Sequence, residues 1–329
     1  MTERPPFVAA VGAALEDLGV AGRVPVACSG GGDSLALLRA CVELRDGGAD
    51  LAPIAAHFDH RQRPGSAADS DHVEELAGLW RCDVTLGTFD GAAGASEATL
   101  RIARYDWLRA AAGRAAAAWV LTGHTADDQA ETVWLRIIRG TGVAGLAGIP
   151  AVGPLPGSTA HGPEVTVVRP MLGVTGAVAR GFLADRGVGW RDDPTNAAAN
   201  YTRNRLRQDV LPQLEALNPR VREAAVRLAA AARDEAESTT GLADAVLGRA
   251  LLCADERVIE LREEPLAALT EPARRAVLRR VWQRAGWPER RMGRAEWVRL
   301  AALRPGDGKI QLPHGVSAFY ATDELFLRR

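Results

Sequence analysis

The sequence predicts an α/β chain: a parallel sheet of about five strands with helices on both faces, followed by a smaller, mostly helical C-terminal domain with a short β element. Three observations carry this. The first two-thirds alternates short apolar runs with amphipathic segments, the pattern of strand–helix–strand units. A hydrophobic content of 47% over 329 residues suffices for one large core and a smaller second one. Beyond about residue 200 the alternation stops and a long helical pattern takes over.

The elements follow from local chemistry. Strands are predicted at 24–28, 53–58, 83–86, 119–122 and 165–169, where apolar residues run together between turn-forming segments. Helices are predicted at 34–45, 67–80, 97–118, 127–139 and 176–186. Ser66 with Asp69 three residues on forms a capping-box signature, and Thr175 is placed to cap the helix after Leu172. Residues 151–164, rich in Gly and Pro, read as a loop. From Thr202 a helical pattern runs on, is punctuated at Asn218-Pro219 and resumes to about residue 250. The first domain is therefore drawn over 1–217, linker helix included, and the second over 218–329. One more amphipathic helix is predicted at 271–285, and two β-like runs at 309–312 and 317–327, around His314-Gly315.

Composition narrows the class of function. No run of about 18 apolar residues occurs, and the start MTERPPFVAAVGAALEDLG lacks a secretory signal's basic end and cleavage site. A soluble cytoplasmic protein with no membrane contact is expected. Cys28, Cys41, Cys82 and Cys253 form no C-x-x-C pair and suggest neither a zinc ribbon nor a disulfide framework; buried free thiols are expected. The formal charge of −1 conceals an asymmetry. Residues 1–200 hold 17 Arg against 23 acids, whereas 201–329 hold 22 Arg and one Lys against 18. Between 274 and 309, 11 basic residues face three acids. Both a polyanion partner for the second half and a merely solvated helix surface fit this bias. Trp282, Trp287 and Trp297 in the same stretch suit base stacking, but core packing is the commoner role of tryptophan among helices.

The most informative segment is Ser29-Gly30-Gly31-Gly32-Asp33-Ser34, which follows an apolar strand and opens a helix. Backbone N–H groups of side-chain-free glycines can converge on phosphate oxygens there, and the helix N-terminus adds its positive dipole end. Ser29 and Ser34 can donate hydroxyl hydrogen bonds to the same anion. The loop lacks the G-K-[ST] of a Walker A motif and the spacing of a dinucleotide fingerprint. Asp33 places a carboxylate beside the phosphates, which repels them unless a cation such as Mg²⁺ intervenes.

Two further clusters lie downstream. With a helix beginning near Thr125, His124, Asp128 and Glu131 fall at spacings of four and three and share a face. Ionisable groups at the C-terminal end of a parallel strand suit a cation or an amine; acids in a first helical turn also simply favour the helix dipole. Glu97, Arg101 and Arg104 repeat the spacing with opposite charge: Glu97-Arg101 is at least an ion pair across one turn, and Arg104 suits an anion clamp.

The loop Ser-Gly-Gly-x-Asp-Ser after a first strand resembles the PP-loop of the N-type ATP pyrophosphatases, which cleave ATP between its α and β phosphates and form adenylated intermediates. Taken with His57-Phe58-Asp59-His60, Arg63-Pro64, Glu97–Tyr105, His124–Arg139, Gly140-Thr141-Gly142 and Gly145–Gly148, it resembles the tRNA(Ile)-lysidine synthetases in particular. The resemblance continues in order through Arg169-Pro170-Met171-Leu172, Asp192-Asp193-Pro194-Thr195-Asn196 and Tyr201-Thr202-Arg203-Asn204-Arg205-Leu206-Arg207, over about two-thirds of the chain. Thr125 stands where many relatives have a second His, and Asp59 where many have Asn. The chain ends about where the family's first C-terminal domain ends, as in its short form.

The resemblance implies a Rossmann-like PP-loop fold and a ligase acting on a tRNA(Ile) with the anticodon CAU. ATP adenylates O2 of the wobble cytosine, and the ε-amine of free L-lysine then attacks C2, so that AUG decoding becomes AUA. It implies ATP contacts at Ser29, Gly30, Gly31, Gly32, Asp33 and Ser34, with Mg²⁺ near Asp33. Asp128 and Glu131, with His124, are implied for amine recognition and proton removal, and Arg104 for steadying phosphate. Arg203, Arg205 and Arg207, with Arg279 and Arg280 in the second domain, are expected to contact the tRNA. A homodimer is compatible with the resemblance. A PP-loop tRNA thiolase and a nonenzymatic tRNA- or nucleotide-binding module are the rival readings.

Overall fold

A computed structural model of the chain describes residues 4–62, 65–92, 94–157, 164–191 and 201–329. The motif residues Arg63-Pro64 and 192–196 lie outside them. Contacts divide the chain into two compact units, Met1–Ala230 and Ala231–Arg329.

The first unit is built on a six-stranded sheet in the order β3-β2-β1-β4-β6-β5. Its strands are β1 (Gly22–Ala27), β2 (Leu51–Asp59), β3 (Asp83–Thr88), β4 (Trp119–Thr122), β5 (Val152–Pro154) and β6 (Thr166–Val168). All neighbours pair in parallel except β5, which runs antiparallel to β6 at the edge. About five strands were expected, and the sixth, β5, falls in the segment read as a loop. It has only three residues, one Gly and one Pro, a composition a sheet tolerates at its edge.

Both faces of the sheet are covered, because successive side chains of a strand point to opposite sides. Val24, Val26, Ala55, Leu121 and Val168 pack with α1 (Pro6–Asp17), α2 (Gly32–Asp46), α3 (Ala67–Leu79) and α7 (Gly176–Ala184). Their neighbours Ala56, Val120 and Val167 pack with Tyr105, Leu108 and Ala112 of α4 (Glu97–Arg114). α4 stops short of the predicted end at 118, with Ala116 turned to φ +50° just beyond it. The Ser66 expectation is corrected: its backbone is already helical and its hydroxyl donates instead to Asp59 Oδ2 at 3.0 Å. Thr175 does cap α7, accepting from Val178 N at 3.4 Å. The unit also holds α5 (Ala126–Arg139) and the short α6 (Val143–Leu146).

The helical pattern after residue 200 is broken into pieces. α8 (Tyr201–Arg205) runs through a π-helical turn, Leu206–Val210, into α9 (Leu211–Leu217), and Asn218 ends it in an extended conformation. α10 (Val221–Ala250) follows, and the division between the two units falls inside it.

The second unit contains a five-stranded antiparallel sheet, β7-β8-β11-β10-β9. Its strands are β7 (Leu251–Ala254), β8 (Val258–Arg262), β9 (Ile310–Gln311), β10 (Ser317–Ala321) and β11 (Glu324–Arg328). The helices are α11 (Glu264–Ala267), α12 (Glu271–Arg284) and α13 (Arg294–Ala302). The sheet's inner face packs on α12 and α13 around Trp282, whose ring meets Trp287 and Trp297 edge to face at 4.9 and 5.4 Å. The three tryptophans are therefore core, as edge-to-face burial favours. Arg274, counted in the basic stretch, is core as well: it is fully buried, and its guanidinium holds Glu263 at 2.8 and 2.9 Å and the Leu303 carbonyl at 3.1 Å. Charge counted along a sequence cannot register that burial.

Candidate active site

β1 and β4 lie side by side while the chain leaves them in opposite directions across the sheet, so a crevice opens at their carboxyl ends. The glycine loop follows β1. Gly30 takes φ +84°, which a residue with a Cβ rarely adopts, and Gly31 begins α2 without any side-chain cap. The loop is pinned from within. Ser29 N donates to Ser34 Oγ at 3.1 Å, and that hydroxyl donates to the Gly31 carbonyl at 2.9 Å. Ser34 thus shapes the loop, while the Ser29 hydroxyl lies 3.2 Å from Ser34 Oγ.

Gly123, just after β4, sits against this loop. A Cβ there would lie 3.0 Å from Ser34 Cα and 3.1 Å from both Asp33 O and Ser34 N. The close approach carries the β4 cluster to the loop. Asp33 pairs with Arg180 of α7 at 3.0 Å. Burial raises the Asp33 pKa against the pull of Arg180, and Asp128 and Asp127 push it the same way. Asp33, paired with Arg180, is the carboxylate of the loop that could hold a divalent cation. Among the described residues no three His, Cys, Asp or Glu side chains form a metal cage.

Downstream of Gly123, α5 begins after Thr125, whose N–H donates to Asp128 Oδ2 at 2.9 Å. Asp127 Oδ2 accepts from Gly176 N at 2.8 Å, tying α5 to the start of α7. His124, Asp128 and Glu131 are brought together, as their spacing predicts, but the two acids already hold partners. Arg203 donates to Asp128 Oδ1 and to Glu131 Oε2, both at 2.7 Å. Arg207 donates to Glu131 Oε1 at 2.6 Å and Oε2 at 3.0 Å. Glu131 has no exposed surface. Arg203 and Arg207, expected on the tRNA, thus hold these acids while their side chains stay 33% and 49% exposed, and the π turn follows directly after the α8 residue Arg205. Arg205 is exposed, 3.8 Å from Asp209.

His124 Nδ1 lies 2.9 Å from Thr122 Oγ1. Burial lowers its pKa to about 4; Arg169, Arg104 and Arg203 push the same way and Asp128 opposes them. Its imidazole is neutral at pH 7. Arg104 lies over the Tyr105 ring at 5.2 Å, and its buried Nε has no hydrogen-bond partner among the described residues. Burial resists ionisation of the Tyr105 phenol, yet Arg104 and Arg101 hold it below its ordinary pKa. In the second unit, Arg279 pairs with Glu289 at 2.6 Å and Arg280 with Asp244 at 2.7 Å.

One side chain escaped the sequence reading, and two more were named there as motif residues without a role. Arg180 meets Asp33 from 147 residues away, and no local pattern announces it. Arg169 follows β6 at the same sheet edge, a position that is itself a signal; it donates to the Pro150 carbonyl at 2.8 Å. His57 near the end of β2 donates from Nδ1 to the Cys28 carbonyl at 2.9 Å, leaving Nε2 buried without a partner among the described residues.

A glycine loop heading a helix at the switch point of a parallel sheet, with carboxylates at the adjoining strand, defines a nucleotide-binding protein of the PP-loop class. The family model described as a PP-loop domain matches residues 7–214. The chain is 39% identical over 301 residues to the tRNA(Ile)-lysidine synthase of Solibacter usitatus, across 88% of this chain and 64% of that protein's length. It is 36% identical over 337 residues to that of Thermobifida fusca, across 95% of each. The chain belongs to the tRNA(Ile)-lysidine synthase family. Among solved structures it is similar in fold to the U34-tRNA thiolase NcsA from Methanococcus maripaludis, with a TM-score of 0.56 and 16% identity over 68% of this chain and 77% of that one.

Proposed function

We propose that the chain ligates free L-lysine, at the expense of ATP, to C2 of the wobble cytidine of a cytoplasmic tRNA(Ile) with anticodon CAU. The observation that carries this is the carboxylate pair Asp128 and Glu131, which grips two guanidinium groups beside the phosphate loop. A site that already binds cationic nitrogen next to a nucleotide loop has the two affinities the reaction needs.

In the first step cytosine O2 attacks the α-phosphorus of ATP and pyrophosphate leaves. The loop amides from Gly30 to Ser34 and the N-terminus of α2 stabilise the departing charge. Asp33 would hold Mg²⁺, which would supply further neutralisation. Arg104, with an unsatisfied buried Nε, steadies phosphate. In the second step the ε-ammonium of lysine takes the place of a guanidinium at Asp128 and Glu131. It then loses a proton, for which neutral His124 and the carboxylates are the acceptors, attacks C2 and expels AMP. Arg205 on α8, with Arg279 and Arg280 of the second unit, contacts the tRNA backbone.

The thiolase reading loses support from the cysteines. Cys28, Cys41 and Cys82 are all buried, and burial raises each thiol well above its ordinary pKa, the opposite of an activated sulfur. The test is direct: the protein is incubated with ATP, Mg²⁺, labelled lysine and the CAU tRNA. Label in the RNA that depends on ATP is expected; RNA that stays unlabelled in a wild-type reaction refutes the proposal.

A further inference from the structure

The sheet of the second unit buries only one of its faces. Along β10 and β11, Ala318, Leu325 and Leu327 enter the core, so Phe319, Phe326 and Arg328 alternate onto the opposite face. Phe319 and Phe326 stand directly opposite each other in the antiparallel register. Their rings are stacked, with centroids 5.6 Å apart and planes 14° from parallel, and both remain partly exposed.

Two exposed cations attend the pair. Lys309, the one lysine of the chain, places Nζ 5.6 Å from the Phe319 centroid. Arg328 places Cζ 5.5 Å from Phe319 and 5.4 Å from Phe326. These separations lie near the outer limit of about 6 Å for a cation–π contact, so a flat group with its own π-face can displace them at small cost. Glu260, opposite Phe326 on β8, and Glu324, opposite Arg262, balance the sheet's far side and leave the positive charge toward β9.

We propose that Phe319 and Phe326, with Lys309 and Arg328, form a platform on which unpaired bases of RNA stack. Aromatic rings supply sequence-tolerant stacking, and flanking cations supply contacts to the phosphates between the bases. An anionic protein or lipid surface has the charge but no flat π-face to match the rings. The proposal rests on the reading of the chain as an enzyme of tRNA and assigns part of its RNA grip to this sheet.

The experiment separates stacking from charge. The full chain is titrated with the CAU tRNA and with a uridine oligonucleotide at several salt concentrations, as wild type, as Phe319→Leu with Phe326→Leu, and as Lys309→Gln with Arg328→Gln. Leucine keeps the apolar surface and removes the π-face, and a thermal melt checks the fold of each variant. The leucine pair is expected to weaken binding about 5- to 100-fold with an unchanged salt slope. The glutamine pair is expected to lower the slope of log affinity against log salt by up to about 1.4. A Phe326→Trp variant is expected to retain affinity and to add an emission component that RNA quenches. A well-folded leucine pair that binds both RNAs like wild type, or an added emission in the Phe326→Trp variant that is indifferent to RNA, overturns the platform. Lysine incorporation by the wild type is scored separately, so its failure sinks the proposed ligation while the binding comparison still judges the sheet.

Discussion

Replacing Glu131 by Gln tests the centre of the candidate site. The carboxylate has no exposed surface and accepts three charge-assisted hydrogen bonds from Arg203 and Arg207, at 2.6 to 3.0 Å. Breaking a fully buried pair by neutralising one partner costs about 3–5 kcal/mol. Here the guanidiniums keep contact with water, with side chains 33% and 49% exposed, so the orphaned charge is partly solvated. Glutamine also retains one carbonyl acceptor, while its amide group must face a donor. The expected loss is thus roughly 2–3 kcal/mol, at and below the bottom of that range. At about 2–4 °C per kcal/mol for a unit of this size, the midpoint of thermal unfolding falls by about 4–12 °C. Calorimetry at 0.1 M and 1 M salt is the assay, since a buried pair is screened far less than a surface one. A midpoint within 1 °C of wild type at both salts would mean that Glu131 does not organise Arg203 and Arg207, and the account of the site would fail with it.

Two other perturbations follow from the same geometry. Gly123→Ala pushes a Cβ into the backbone of Asp33 and Ser34 at 3.0–3.1 Å, where no side chain can yield. A loss of about 1–3 kcal/mol in urea unfolding, with weakened ATP binding by calorimetric titration, is expected; an unshifted urea midpoint refutes the contact. His124, lowered from 6.5 to about 4, binds its proton more weakly in the folded chain than in the unfolded one. Its contribution is complete above pH 6.5 and is lost as pH falls toward 4, by about 2–4 kcal/mol in all. Urea unfolding from pH 7.5 to 4.5 is expected to show His124→Gln losing less stability than wild type, and equal slopes would contradict the buried neutral imidazole.

What the sequence revealed is what its local chemistry encloses. The phosphate loop is six consecutive residues between a strand and a helix, so composition and context define it together. The face shared by His124, Asp128 and Glu131 follows from helical spacing alone. Their partners do not, since Arg203 and Arg207 reach Glu131 from 72 and 76 residues away. The resemblance assigns the arginines near residue 203 to RNA, but it does not announce that Glu131, buried on α5, pairs with two of them. In the second unit the same blindness to burial made Arg274 part of a surface patch, and no strand was expected over 251–262, where β7 and β8 lie.

Of the helices that begin at this sheet edge, α2, α5 and α7 differ in their starts in a way that allots charge. α7 is closed by Thr175, which accepts from Val178 N, and by Asp127, which accepts from Gly176 N. α5 is closed by Asp128, which accepts from Thr125 N, and by the Val174 carbonyl, which accepts from Ala126 N. α2 begins at Gly31 with no side-chain cap at all. The first-turn N–H groups of a helix need acceptors from outside it, and the dipole draws negative charge to the same place. In two helices the protein's own acids and carbonyls meet that demand, whereas the N-cap of α2 makes no side-chain cap hydrogen bond. Asp128, which closes α5, and Glu131 one turn on meet the guanidinium groups of Arg203 and Arg207. The proposed reaction requires such a separation of anion from cation, because a triphosphate and an amine held side by side must each find opposite charge in the protein rather than in each other.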